Sequence, residues 1–348
     1  MKRVLGVFLM SFVILITGCT LNAAGKSSLY VLRSDEKTKK SEIVILDGNL
    51  SEKKTVDIKD DFFLQSNPVI TEDRESVYIV PSLDRFSKSS KSILVLNKKS
   101  GSIKEKMLDS SEEIKSIDVN DKNIYTVSNK DKNIYIKKLA KGNSEDKKTL
   151  EIKNAEGNLL KAIDSKIFLF KNNPKNESTI TKLNQDSLEK EDEVYLHPEI
   201  SGKFDLATMN EGKLYFAGEN SGKKGIVGLY EKNEGRSLSV KIDNQRPVVF
   251  LKDKNRILAI CEEKEGNGDS KFGFYKFNEK NNLVKLRDIS QKVIDAKKIN
   301  NNYAILSDDG IYIYDDKFRE IGSKKFEESI NLGMAVLQEK EIKNKNNF

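Results

Sequence analysis

The chain has 348 residues, of which 37% are hydrophobic and 33% charged, so it is long enough to bury a sizeable core and too apolar for a disordered polymer. Two cysteines exclude a disulfide framework. The net charge of +7, or +5 after subtracting Lys2 and Arg3 of the leader, is spread over lysines interleaved with acids. That is a solvated surface with at most a weak attraction to anionic polymers; it is not the concentrated basic stripe of a nucleic-acid binder, and no nucleic-acid partner is expected.

Residues 1–18 begin Met-Lys-Arg and continue through an almost wholly apolar run at 4–16, followed by Thr17 and Gly18. A basic start, a short hydrophobic segment and small residues before a cut form a secretory signal. The run of about 13 residues is shorter than the roughly 20 needed for a membrane-spanning helix. Ile16-Thr17-Gly18-Cys19 resembles the bacterial lipobox. The resemblance implies that the Cys19 thiol receives a diacylglyceryl group and that the signal is cut just before it. Two acyl chains, at ~0.8 kcal/mol per buried methylene, anchor stably where one is marginal. The expected location is the extracytoplasmic face of the cell membrane, with residues 19–28 as lipidated cysteine and polar tether.

From residue 29 onward one pattern recurs: apolar, aromatic, apolar, apolar, then small polar residues. It is seen at Leu29-Tyr30-Val31-Leu32, Val77-Tyr78-Ile79-Val80, Ile124-Tyr125-Thr126-Val127 and Ile167-Phe168-Leu169-Phe170. Leu214-Tyr215-Phe216-Ala217, Ile257-Leu258-Ala259-Ile260 and Tyr303-Ala304-Ile305-Leu306 continue it. The second positions of these marker segments are 48, 47, 43, 47, 43 and 46 residues apart. A second strand follows each marker, for example Ile43-Val44-Ile45-Leu46, and often closes on a turn-forming Asp or Asn. A third follows in most units (Lys54-Thr55-Val56-Asp57-Ile58), and a fourth precedes the marker (Ile114-Lys115-Ser116-Ile117-Asp118-Val119).

Bursts of four to six residues bounded by Asn, Asp, Gly and Lys are strands, not helical repeats. Four short strands per repeat of roughly 45 residues predict a β-propeller blade. The expected fold is therefore all-β: a single propeller over residues 29–338 with about seven four-stranded blades. The first unit lacks its preceding strand, and Leu332-Gly333-Met334-Ala335-Val336-Leu337 is left over. Docked beside residues 29–32, it closes the ring and removes the open edge. The charged segment 339–348 is expected to be a frayed tail. The repeats resemble the divergent propellers of bacterial surface proteins, of YVTN or quinoprotein-like type, without a Trp-Asp dipeptide, a kelch double glycine or a Tyr-Val-Thr-Asn run.

Chemistry is sparse. His197, the only histidine, falls in a predicted loop, and a metal site or catalytic triad needs more partners than it has. Asp60-Asp61, Asp308-Asp309 and Asp315-Asp316 flank turns, where Asp serves the backbone. The stretch from Asp118 to Asn123 approaches a calcium loop but is interrupted by Lys122, and Glu265-Gly266-Asn267-Gly268-Asp269-Ser270 reads as a hairpin loop. Cys261 ends an apolar run and is expected to be small and partly buried. No catalytic residue, metal or cofactor is assigned; lipidation of Cys19 is the one site expected. The favoured function is a membrane-anchored module that binds an envelope protein, peptide or wall polymer through one propeller face. The alternative is a hydrolase or lyase using carboxylates gathered in the central funnel.

Overall fold

The computed structural model describes residues 27–338 except 60–63, 65–67, 82–91, 109–113, 143–146, 176, 197–200, 221, 232–235, 244, 265–269 and 327–328. Cys19, the tail, His197, Asp60-Asp61 and most of the 265–270 loop lie outside the described residues. Within them the chain is all-β, with 28 strands in seven four-stranded antiparallel sheets, the arrangement of a seven-bladed propeller.

Blade 1 contains β1 (Ser27–Asp35), β2 (Lys40–Asp47) and β3 (Glu52–Ile58). Blade 2 is β4 (Val69–Glu72), β5 (Ser76–Val80), β6 (Ser92–Asn97) and β7 (Ile103–Met107). Blade 3 is β8 (Ile114–Val119), β9 (Asn123–Lys130), β10 (Asn133–Ala140) and β11 (Lys147–Ile152). Blade 4 is β12 (Glu156–Ile163), β13 (Lys166–Asn172), β14 (Ser178–Asn184) and β15 (Lys190–Tyr195). Blade 5 is β16 (Gly202–Asn210), β17 (Lys213–Asn220), β18 (Gly225–Glu231) and β19 (Arg236–Asp243). Blade 6 is β20 (Gln245–Asp253), β21 (Arg256–Lys264), β22 (Ser270–Phe277) and β23 (Leu283–Ile289). Blade 7 is β24 (Asp295–Ile299), β25 (Asn302–Leu306), β26 (Gly310–Tyr314) and β27 (Glu320–Lys325).

The last strand, β28 (Ile330–Gln338), completes blade 1 in the order β28-β1-β2-β3, pairing Tyr30 with Ala335 and Val31 with Met334. The expected closure by the leftover segment is therefore present.

The seven marker segments are the second strands of their blades, and their unbroken apolar pattern follows from where they sit. Side chains of a strand alternate between two faces. Leu29 and Val31 pack with Ala304, Leu306 and Ile311 of blade 7, whereas Tyr30 and Leu32 pack with Val77, Ile79 and Leu94 of blade 2. With a neighbouring blade on each face, neither parity meets solvent, and even Thr126 is buried. Burial of one such side chain stabilises by about 1.5–3 kcal/mol. Aromatic residues thicken the interfaces at blades 4 and 5, where Phe170, Phe204 and Phe216 lie 5.2–5.6 Å apart, and at blades 6 and 7 around Phe274 and Tyr303. Cys261 belongs to this interior and is wholly buried, more than the sequence pattern suggested; burial pushes its thiol pKa up.

The Asp and Asn residues that end the third strands act as turn formers. Asp47 accepts the Asn49 and Ser51 amides at 2.9 Å each, and Asn184, Asn278 and Asp315 accept backbone amides in the same way. These turns force Leu50, Leu188 and Phe318 into positive φ, at 63°, 56° and 60°. The left-handed conformation costs such residues about 1–2 kcal/mol, which is offset because Leu50 and Leu188 bury their side chains and Phe318 packs against the blade 6–7 core.

The outermost strands carry charges, as in Glu-Lys-Lys-Thr-Val-Asp-Ile of β3, and bulges at Lys53, Glu191, Leu286 and Ile321. Both devices keep an exposed sheet edge from pairing with another chain.

A chain ending at residue 329 would leave β1 unpaired toward the axis and uncover Leu29 through Leu32. Such a truncation is expected to abolish the cooperative thermal transition and to aggregate, as read by circular dichroism and light scattering; an unchanged melting curve would contradict closure by β28.

Candidate functional site

The axial channel is the place where all seven blades converge. The innermost strands β28, β4, β8, β12, β16, β20 and β24 present one edge to β-ladders and the other to the axis. Each begins on one face of the disc, here the upper face, and runs to the lower.

In five of them one residue is extra relative to the marker strand: Lys115, Asn158, Asp205, Val248 and Leu332. All five stand three residues before the residue that faces the second marker position. The same count in blades 2 and 7 gives Pro68 and Ile294, immediately before β4 and β24. Bulges re-aim the side chain they carry. Lys115 and Asp205 are exposed, each near the start of its innermost strand.

Deeper, charged side chains hydrogen-bond the free edges of the innermost strands. Asp118 accepts the Ala162 amide at 2.8 Å, bonds Thr71 at 3.2 Å and lies 3.7 Å from Lys161. Asp295 accepts the Met334 amide at 2.9 Å, and Glu72 accepts the Val336 amide at 3.0 Å. Lys98 donates to the Val336 carbonyl at 2.7 Å and to Glu72 at 2.6 Å, with its side chain only 2% exposed. Lys297 reaches past β28 to Glu72 at 3.2 Å and lies 3.9 Å from Asp295. Blades 7, 1 and 2 are thus clasped by two lysines and two carboxylates around the closing strand.

Burial pushes Asp295 above the ordinary carboxylate range, more than Lys297 and two backbone amides pull it down. Burial also raises Glu72, but Lys297, Lys98 and the Val336 amide outweigh it and hold it low. Lys297 is raised because Asp295 and Glu72 outweigh its own burial.

A second charged joint, on the lower face, links blades 6 and 7. Asp253 is bonded by Lys298, by Arg256 at 2.9 Å and by the Tyr303 hydroxyl at 3.0 Å. Burial opposes its ionisation, but these three donors bring it down to about 2. Near the upper mouth Asp205 accepts Arg246 at 2.6 Å, and Arg246 also approaches Glu219 at 3.8 Å. Although its side chain keeps access to solvent, the protein around the Asp205 carboxyl desolvates it enough to raise it despite this partner.

The sequence candidates fare differently. Asp315 caps its turn and Asn120 caps the turn of the 118–123 segment, so these serve the backbone as expected, whereas the Asp309 carboxylate instead accepts the side chains of Tyr312 and Lys325. Among the described residues no three His, Cys, Asp or Glu side chains are grouped to hold a metal ion. Sequence reasoning missed Glu72, Lys98, Asp295 and Lys297, whose partners come from three different repeats. The usable signal was a charge inside an otherwise apolar fourth strand, as at Asp118 and Asp205.

No protein-family model matches the chain, and no curated protein is recognisably similar in sequence. Solved structures are similar in fold. A Bacteroides fragilis NCTC 9343 protein provisionally assigned as a 6-phosphogluconolactonase superposes with a TM-score of 0.60 at 12% identity, covering 91% of this chain and 99% of that one. Dihydro-heme d1 dehydrogenase NirN in complex with DHE gives 0.59 at 11%, over 89% of this chain and 75% of that one. A functionally unknown protein from Desulfotomaculum acetoxidans DSM 771 gives 0.58 at 11%, over 90% and 99%. At such identities the likeness shows the propeller fold alone.

Two outcomes follow from the charged joints. Glu72→Ala leaves the Lys98 ammonium buried beside an uncapped Val336 amide and is expected to cost about 3 kcal/mol in urea unfolding. Asp253 has a depressed folded pKa, so its contribution is complete above 3.8 and is lost as pH falls from there to about 2. The loss should amount to about 2–3 kcal/mol, and Asp253→Asn should flatten the stability profile over that window.

Proposed function

We propose that this chain is a membrane-anchored extracytoplasmic binding module, held by lipid on Cys19 and engaging a protein, peptide or wall polymer through one propeller face. The observation that carries this reading is the commitment of the channel carboxylates. Glu72, Asp118 and Asp295 each accept a backbone amide and lie beside a lysine, and Asp205 is paired with Arg246. A hydrolase or lyase needs a carboxylate free to exchange a proton with substrate. Glu72, Asp118 and Asp295 hold the frame, while the side chains nearer the mouth, Asp205 among them, vary from blade to blade on that constant frame. Such a division, rigid scaffold and variable rim, suits recognition.

The anchor rests on the lipobox resemblance and is tested by Cys19→Ser, which is expected to abolish acyl-chain labelling and shift the protein from the membrane to the soluble fraction. Retention at the membrane without label would contradict it. The binding role is tested in cells with a photocrosslinking residue placed at Lys115 on the upper mouth or at Lys280 in an exposed lower-face turn. A discrete adduct from one position and none from the other is expected; no adduct from either would count against a binding module.

A further inference from the structure

We propose that the lower face of the propeller is a lipid-facing surface, tipped so that blades 7, 1 and 2 lie close to anionic headgroups while blades 4 and 5 stand off. The upper face is then the one left to a partner. This rests on the anchored-module reading and assigns a role to each face. The first argument is reach. Residues 20–26 separate Cys19 from Ser27. Ser27 pairs with Gln338 at the lower end of β28, and its hydroxyl donates to Asn300 beside the lower turn of blade 7 at 3.1 Å. The tether therefore leaves from the lower face between blades 7 and 1, and its eight Cα steps span at most about 28 Å. The nine residues of β1 already carry the chain about 26 Å toward the upper face. To bring that face to the bilayer, the tether would first have to pass outward around β2 and β3, about 10 Å more. It is too short to do so, whereas the lower face lies within its reach.

The second argument is charge. Because the innermost strands run from the upper face to the lower, the turns between first and second strands, and between third and fourth, lie toward the lower side. Under blades 7, 1 and 2 the described turn residues expose Lys317, Arg74 and Lys99 against Asp316 and Glu75. Lys53 and Lys54 follow Glu52 directly after the blade 1 turn. Under blades 4 and 5 the described turn residues at 164–165, 185–189 and 211–212 expose carboxylates, Asp186, Glu189 and Glu211 among them, and no cation. Lys138 approaches Asp186 at 3.4 Å from β10. An anionic surface attracts the side from which the tether emerges and repels the opposite side, and that difference tips the disc.

The third argument concerns the other face. Four large hydrophobic side chains stand exposed among the described residues, and three of them, Met107, Tyr195 and Ile330, are at the upper ends of β7, β15 and β28. Met107 and Tyr195 are 61% and 64% exposed. Methionine and tyrosine are enriched where proteins meet, and here they stand on the side that the tether holds away from lipid. The fourth, Val284, is at the lower start of β23. A single valine gives the lower face little to insert between acyl chains, so its contact is with headgroups and weakens with salt.

The test uses the lipidated chain purified from membranes and reconstituted into vesicles of phosphatidylcholine, with or without phosphatidylglycerol. Three variants are labelled with a fluorophore that spin-labelled headgroups quench on contact. Asn49→Cys and Glu189→Cys place it at matching lower turns of blades 1 and 4, and Glu36→Cys places it at the upper turn of blade 1, all exposed positions. Cys261 is wholly buried and stays unlabelled. Quenching at position 49 is expected to exceed that at 36 by at least about threefold on both vesicles. On anionic vesicles it should also exceed that at 189 by about twofold, and high salt should erase this second difference. Lys99→Glu combined with Lys317→Glu, two exposed turn changes that leave the core intact, should erase it as well. Equal quenching at 36 and 49 overturns the assignment of faces, and equal quenching at 49 and 189 on anionic vesicles overturns the tilt. A chain that floats with neither vesicle has no anchor; the reading beneath the proposal then fails, and the proposal with it.

Discussion

A ring of sheets has a problem at its centre. Every innermost strand pairs on one side only, so alternate backbone N–H and C=O groups face the axis with no ladder to receive them, and an unmet buried amide costs about 1–3 kcal/mol. The chain meets this constraint with side chains from neighbouring blades. Ser116 accepts the Leu160 amide at 3.0 Å and Asp118 the Ala162 amide, while Ser178 serves Gly202 and Asp295 and Glu72 serve the closing strand. Each such bond satisfies an edge and also ties one blade to another. The closing strand receives the heaviest treatment because the covalent chain does not link it to blade 2: it is held by β1 on one edge and by Glu72, Asp295 and Lys98 on the other.

The same constraint explains the placement of charge. A carboxylate is a stronger acceptor for a lone amide than a neutral group, but it brings a charge into the interior and needs a cation. Lys297 and Lys98 supply it around blade 1, and Lys161 beside Asp118. The resulting sets are structural joints whose groups are already spoken for, which is why the proposed recognition is placed at the rim. There the frame repeats to the residue, and the identity of the side chain is free to change from blade to blade.

Much of the architecture was readable from the sequence because it rests on periodic burial. The marker strands are apolar at both parities since both faces meet another blade, and the spacing near 45 residues counted the blades. The leftover strand found its place because β1 lacked a neighbour. What escaped was everything that depends on pairing between repeats. Lys98 sits in a turn with Lys99 and reads as surface, yet it is buried because Val336 lies 238 residues away in sequence and next to it in space. Lys297 reads as one of many lysines. The bulges are invisible in one sequence, since an extra residue in a strand looks the same as a loop longer by one. Cys261 was placed correctly in an apolar strand, but its complete burial depends on Phe250, Tyr275 and Leu283, which other strands of blade 6 bring together around it.

The most direct measurement is residue-resolved amide hydrogen exchange along β28 in the full chain. Strand geometry gives the Gly333, Ala335 and Leu337 amides to β1, and turns those of Met334 and Val336 toward the axis. If charged side chains close the ring, Met334 and Val336 are protected to the same degree as their neighbours, and Glu72→Gln releases Val336 first. If Met334 and Val336 exchange freely while alternate residues stay protected, the closing strand is held by its ladder alone, and the clasp of Glu72, Lys98, Asp295 and Lys297 is not what completes the propeller.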